Sequence, residues 1–410
     1  MAERNLVELE DSAGKRGAMT VNPQSLSIVD LCRLHAWLED HLDAMVEDLA
    51  TCTGKETPST DKALLDAGAE WLTSWLTRRL GQPEAFRRAS GGQYGDILIS
   101  DYAGAGPERV LLLGHYDTVW EAGTLTDWPF RENNGVASGP GVFDMKAGLV
   151  QAIWALCALE ALELPRPPVR LLVNGDEEIG SPASRELIEQ SGRAAAATFV
   201  FEPSANGALK TARKGVGMWR IVATGEEAHA GLDPATGASA VAGLAEVVLG
   251  LHELADPDLG TTVNVGTFHG GTRGNVIAGR AQCEVDVRVA SQAEAQRVHH
   301  ALGTLSPSDP RVSITWHGGW NRPVMERSDA TMVLYDAAAV LAQRSGWEVG
   351  HTAVGGASDG NFVSALGRPV LDGLGAVGAG AHARHEHVIV SDMATRAGMS
   401  ASLLAAFAPA

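Results

Sequence analysis

The chain has no basic surplus: 32 lysines and arginines face 50 aspartates and glutamates, a formal charge of −18. Phosphate recognition needs a clustered basic face, and no basic run is present, which argues against a nucleic-acid partner. Cysteine is scarce. Cys32, Cys52, Cys157 and Cys283 stand far apart with no C-x-x-C pair, so neither a disulfide scaffold nor a zinc knuckle is expected. No uncharged apolar stretch reaches the length of about 18 residues that spans a bilayer. The opening MAERNLVELEDSAGKRG is charged throughout, without the apolar run and small-residue cleavage site of a secretory signal, so a cytoplasmic protein is expected.

What is present suits a large folded chain. Its 410 residues are 45% apolar and 20% charged, more than one hydrophobic core usually organises, so two domains or one domain with a large insertion are expected. Ile28, Leu31, Leu34, Leu38, Leu42, Met45 and Leu49 recur at helical spacing, which predicts a long helix over 24–50 after a frayed start. Apolar runs without alternation then end at 110–114, 169–175 and 197–203, with a helix from Met145 to about Glu163 stopped by Pro165, Pro167 and Pro168. Such strands are buried on both faces, so an α/β domain with a largely parallel sheet is predicted. Between about 215 and 322 the order becomes β-α-β-β-α-β, a ferredoxin-like unit able to sit as an insertion. The domain reading is therefore 1–214 and 323–410 for the α/β part and 215–322 for the insertion.

The chemistry-bearing residues follow the predicted strands. The run VLLLG leads into His115 and Asp117, which, two residues apart, point to one side at a strand's carboxyl end, where open α/β sheets place their sites. Alone the pair reads equally as a local hydrogen bond. Asp144, in SGPGVFDMKAG, reads by itself as a helix N-cap. The next strand ends in Asp176, Glu177 and Glu178, three carboxylates that repel one another without a cation or a solvated loop. Glu202 ends ATFVFEP, and AVGAGAHARHEHV supplies His382 and Glu386, with His385 and His387 as alternative ligands by spacing. Histidines and carboxylates delivered by successive strand ends suit a pair of divalent ions of the zinc type. A dinucleotide site fits poorly, because SGPGVFDMKAG lacks G-x-G-x-x-G.

With GHYDTV, GPGVFDMKAG, GDEEIGS, FEP, AHAG and GAHARHE in this order, residues 105–395 resemble the co-catalytic zinc metallopeptidases that include glutamate carboxypeptidase, acetylornithine deacetylase, succinyl-diaminopimelate desuccinylase and the aminoacylases. The resemblance implies two Zn²⁺ ions, with Co²⁺ or Mn²⁺ as substitutes. Asp144 would bridge them, His115 and Glu202 would complete one site, and Glu178 and His382 the other. Glu177 would be the general base, and Asp117 would orient His115. His229 would reach the partner subunit's site and polarise the scissile carbonyl, which implies a homodimer made through the insertion.

The match is closest to the glutamate carboxypeptidase branch, on Lys210, Asn275, Arg288, Arg322 and Ser358. In isolation these read as surface cations, a strand-end ion pair and a glycine-rich turn. By the resemblance they line a pocket for a C-terminal glutamate. Ala228 before His229, and a glutamate four residues after His382, depart from that branch and bear on the substrate. The expected activity is hydrolysis of an N-acyl amino acid or small peptide. Alternatives are a deacylase for non-acidic amino acids and an inactive binding relative, the latter opposed by the presence of Glu177. Trp120, Trp128 and Trp219 read either as core or as an aromatic subsite.

Overall fold

The computed structural model describes residues 5–10 and 16–408. They form two compact units, one made of the described residues up to 212 with 327–354 and 358–408, the other of 213–326 with 355–357.

The first unit is built on a six-stranded sheet in the order Val370–Leu371, Ala197–Val200, Val110–His115, Val169–Asn174, Ile97–Tyr102, Ala85–Ala89. The first four are mutually parallel, and the last two add antiparallel. The sheet is thus mixed, where a largely parallel one was expected. The antiparallel edge escaped the sequence reading because AFRRA carries four charged or small residues on an exposed edge and shows no buried-strand run. The central strand Val110–His115 is buried along its whole length. Leu111, Leu112 and Leu113 each contribute roughly 1.5–3 kcal/mol by leaving water.

The helix Ala147–Ala161 packs against the helix Val390–Ala405 and is buried on nearly every side. Together with the preceding turn it is long and apolar enough to cross a membrane, but 89% of that window is buried within the fold, as befits a core helix. Gly148 lies against the Phe201 carbonyl, where a Cβ would come within 1.9 Å, so this position admits no side chain as the helix passes the strand end that leads to Glu202.

At the amino-terminal end, Asn5–Glu10 and Arg16–Val21 pair as an antiparallel hairpin where a frayed start was expected; residues 1–4 and 11–15 of that start lie outside the described residues. The single helix expected over 24–50 is two, Ile28–Asp40 and Leu42–Thr53. Ser27 and Asp30 form a reciprocal cap at the first. The break falls at His41 (φ −106°, ψ 10°), whose ring stacks on Trp37 at 3.9 Å and whose Nδ1 meets the Trp37 carbonyl at 2.7 Å. No glycine or proline marks this break, so apolar periodicity runs through it unchanged.

The second unit has the antiparallel sheet Thr262–Gly270, Arg280–Val289, Gly215–Thr224, Ser313–Arg322, in that order. Helices Ala240–His252 and Gln292–Leu302, capped by Ser239 and Ser291, complete a β-α-β-β-α-β order. Ile221, Leu244, Cys283, Val287 and Val298 form its core. A short pair, Ala228–His229 with Val276–Ile277, is added to this plan and sets His229 opposite Val276.

Candidate metal centre

The strand Val110–His115 ends by presenting His115, and the chain turns so that His115 Nδ1 lies 3.0 Å from the Asp117 carbonyl and 3.4 Å from its Oδ1. Asp117 is fully buried. Its Oδ2 accepts from Ser59 Oγ at 2.7 Å and Glu178 N at 3.2 Å, and its Oδ1 accepts from Glu177 N at 3.2 Å. One carboxylate thus fixes the imidazole and the loop carrying both glutamates.

Asp144 is not an N-cap. Its backbone (φ −113°, ψ 95°) is non-helical, and the regular helix begins only at Ala147. The carboxylate lies between the two imidazoles, Oδ1 at 3.4 Å from His115 Nε2 and Oδ2 at 3.3 Å from His382 Nε2. Glu202 Oε1 stands 3.5 Å from His115 Nε2, and Glu178 Oε2 stands 3.1 Å from His382 Nε2. Ligand atoms of His115, Asp144 and Glu178, and likewise of His115, Glu177 and Glu202, fall within 4.8 Å of one another. His382, at φ 61°, reaches the cluster; His387 instead turns its Nδ1 to the His385 carbonyl.

Of the three successive acids, Asp176 belongs to the fold. It is fully buried, and its carboxylate accepts from Ala183 N (2.7 Å), Ser184 N (3.1 Å) and Asn174 Nδ2 (3.1 Å). Its hydrogen bonds, rather than a cation, offset the repulsion expected from sequence. Glu386 is likewise not one of the clustered ligands. Wholly buried, it accepts from the backbone N–H of Gly141, Phe143 and Asp144 at 2.9–3.1 Å and from Trp120 Nε1 at 2.9 Å. Neither the role of Glu386 nor that of Ser59 was read from the sequence. The partners of Glu386 are backbone amides some 240 residues away, and Ser59 sits in a loop with no motif.

The electrostatics are those of a cation site. Burial pulls the His115 imidazole down, but Asp117, Asp144 and Glu202 raise it well above its ordinary value. Hydrogen bonding to Asp144 and Glu178 pushes His382 up to about 11. Burial and the neighbouring Asp144 push Glu178 up to about 7, while burial of Asp144 itself is outweighed by the two imidazoles, which hold it well below the carboxylate range. His115 Nε2 and Glu178 Oε1 are buried with no hydrogen-bond partner. Buried polar atoms without partners, converging with carboxylates of one sign, fit divalent cations bound through nitrogen and oxygen.

The remaining sequence-predicted residues divide between the units. Lys210, in the first, pairs through its backbone with Asp372. Ser358, expected to line a pocket, is fully buried; it donates to Asp372 Oδ2 at 2.6 Å and accepts from Gly360 N at 3.1 Å. In the second unit, His229 Nδ1 accepts from the N–H of Gly231 and Leu232, both at 3.1 Å, which leaves Nε2 as the donor of the ring. Asn275 lies beside it, its carbonyl accepting from Ala230 N at 3.0 Å. Arg288 and Arg322 pair with Val216 from its two flanking strands. Arg288 forks onto Asp286 at 3.0 and 3.3 Å, and Arg322 is buried. Trp219 is core, packed edge-on to Trp320 at 5.4 Å.

Fold and cluster together define a metallo-hydrolase of the α/β class. Residues 111–406 match the model of peptidase family M20/M25/M40, and the chain belongs to that family. It is 28% identical over 376 residues to carboxypeptidase G2 of Pseudomonas sp. (strain RS-16), covering 89% of each chain. Acetylornithine deacetylase of Myxococcus xanthus is 28% identical over 267 residues, 61% of this chain and 68% of that one. Among solved structures, the aminopeptidase PepT of Bacillus cereus superposes with a TM-score of 0.73 at 19% identity, over 89% of this chain and 98% of the other. An M20 family metallo-carboxypeptidase of Sulfolobus solfataricus gives 0.68 at 17% identity, over 88% and 99%.

Proposed function

We propose that the protein is a dinuclear zinc amidohydrolase, able to accept Co²⁺ or Mn²⁺, that cleaves N-acyl amino acids or small peptides ending in glutamate. The observation that carries the metal reading is Asp144, whose two carboxylate oxygens face two different imidazoles at 3.4 and 3.3 Å. His115 and Glu202 would hold one ion with it, and Glu178 and His382 the other. Bound there, the ions supply Lewis acidity that polarises an amide carbonyl and lowers the pKa of water.

The chain's own groups do the remaining work. Glu177 takes the proton of the attacking water and returns it to the departing amine. Asp117 keeps the His115 Nδ1 side occupied, so Nε2 stays directed at the cluster. His229, a donor through Nε2, stabilises charge on the scissile carbonyl of a second copy. The mostly exposed edge strand Thr262–Gly270 suits pairing with that copy. Lys210 and Arg322 address the glutamate side chain, and Arg288 with Asn275 the α-carboxylate or the carbonyl. The fork of Arg288 onto Asp286 favours a second reading, a deacylase for non-acidic amino acids, because it removes one cation from the surplus on which glutamate preference rests. N-acyl-glutamate, N-acyl-glutamine and N-acyl-leucine separate the two. A preference for glutamate of about 30-fold or more in kcat/KM, erased in Lys210→Ala or Arg322→Ala, is expected. Equal values in the unmodified protein would establish the deacylase.

A further inference from the structure

Beside the metal cluster stands a cation that the proposed function leaves unassigned. Arg384 lies two residues after His382, so its backbone is within about 7 Å of that ligand's. Its guanidinium sits over two indoles at once, 5.6 Å from the Trp120 ring centre and 5.7 Å from that of Trp128. The indoles pack edge to face at 4.9 Å, and Trp120 is further pinned by its Nε1 donating to buried Glu386. Among the described residues Arg384 has no carboxylate partner, and it is exposed while both rings are half-buried.

These facts separate Arg384 from an ordinary surface arginine. A free arginine on a chain of charge −18 has many carboxylates to meet, and its long side chain is costly to hold in one place. Here cation–π contact with two rings does the holding, and one of them, Trp120, is tied to the same Glu386 that ties down the Asp144 loop. The guanidinium is exposed, on the segment that carries His382. A guanidinium held near two aromatic rings by cation–π attraction keeps donors for a planar, two-oxygen anion.

We propose that Arg384, on the Trp120–Trp128 platform, is a specificity-determining residue that binds a carboxylate on the acyl half of the substrate. This rests on the reading of the protein as an amidohydrolase with its amino-acid half addressed by Lys210, Asn275, Arg288 and Arg322. Those residues account for the carboxylates of the amino-acid half, and Arg384 supplies a donor for one more. The substrate class is then an amino acid acylated by a dicarboxylic acid, its second carboxylate free. Against a global field that repels anions, the fork acts at short range as the substrate docks.

The test uses the zinc-loaded full chain and two acyl groups of one shape, succinyl, which ends in a carboxylate, and succinamoyl, which ends in an amide. Each is placed on glutamate and on leucine, so the acyl effect is read as a ratio within one amino acid and does not depend on glutamate preference. The succinyl compound should be favoured by about tenfold or more in kcat/KM, mostly through KM. Arg384→Gln should lower that ratio at least fivefold at unchanged zinc content, and Arg384→Lys should keep part of it, having charge without the planar fork. A succinyl to succinamoyl ratio near or below one in the unmodified protein, or a fall of less than fivefold in Arg384→Gln, overturns the proposal. Failure to hydrolyse any of the four compounds would instead sink the amidohydrolase reading itself.

Discussion

Glu386 accepts a hydrogen bond from the backbone N–H of Asp144 at 3.0 Å, across 242 residues of sequence. Through Gly141 N, Phe143 N and Trp120 Nε1 the same carboxylate fixes the approach to Asp144 and the loop after Asp117, and it lies four residues after His382. The groups on which a shared metal site depends are therefore held in register by a side chain that need not touch metal. Burial raises the Glu386 carboxyl above its ordinary value while these four donors oppose the rise.

Glu386→Ala should cost about 3 kcal/mol or more, since it strands several buried donors at once, each worth roughly 1–3 kcal/mol when left unsatisfied. Urea denaturation reads the stability, and metal analysis should show reduced zinc. A variant as stable and as zinc-rich as the parent would remove Glu386 from the architecture of the site.

Replacing Glu177 by Gln separates the general base from the ligands. Zinc content should persist while kcat falls by about 10² to 10⁴, the usual worth of a positioned base. Loss of zinc with little change in the residual rate per bound metal would exchange the roles of Glu177 and Glu178.

Metal binding should release protons. In the metal-free protein His382 is raised to about 11 and His115 well above its ordinary value, so both carry a proton at neutral pH. A cation binds the deprotonated imidazoles, so affinity should rise as pH rises through the neutral range towards the His382 value and weaken as pH falls. Calorimetric zinc titration in buffers of different ionisation enthalpy at pH 7.5 should give net proton release. None would contradict the assigned ligands. Chelation should abolish amide hydrolysis, and added zinc should restore it.

His229→Ala should fold and bind zinc yet turn over poorly, because the residue lies in the second unit and is absent from the metal cluster. Subunit exchange with Glu177→Gln should then regenerate some activity, since hybrid sites would combine both intact groups. Activity that stays at the level of the two parents, with exchange verified by mass, speaks against sites shared between copies.

The local devices of this protein were legible in its sequence because each is written in consecutive residues. The buried run before His115, the glutamate pair after Val169–Asn174, the glycine-rich approach to Asp144 and the β-α-β-β-α-β rhythm all depend on short-range periodicity and strand-end placement. So did the set of ligand types, because hard and borderline donors at successive strand ends have few other uses. Tertiary structure decided what such patterns cannot encode. Asp144 resembles an N-cap until the backbone places it between two imidazoles, and Asp176 resembles a repelling neighbour until Ala183 and Ser184 donate to it. Glu386, Ser59 and Arg384 acquire meaning only from partners outside their own motifs. A hydrogen bond to a backbone amide, or a stack on a distant ring, imposes no residue type on its partner's neighbours, so it leaves no spacing to read.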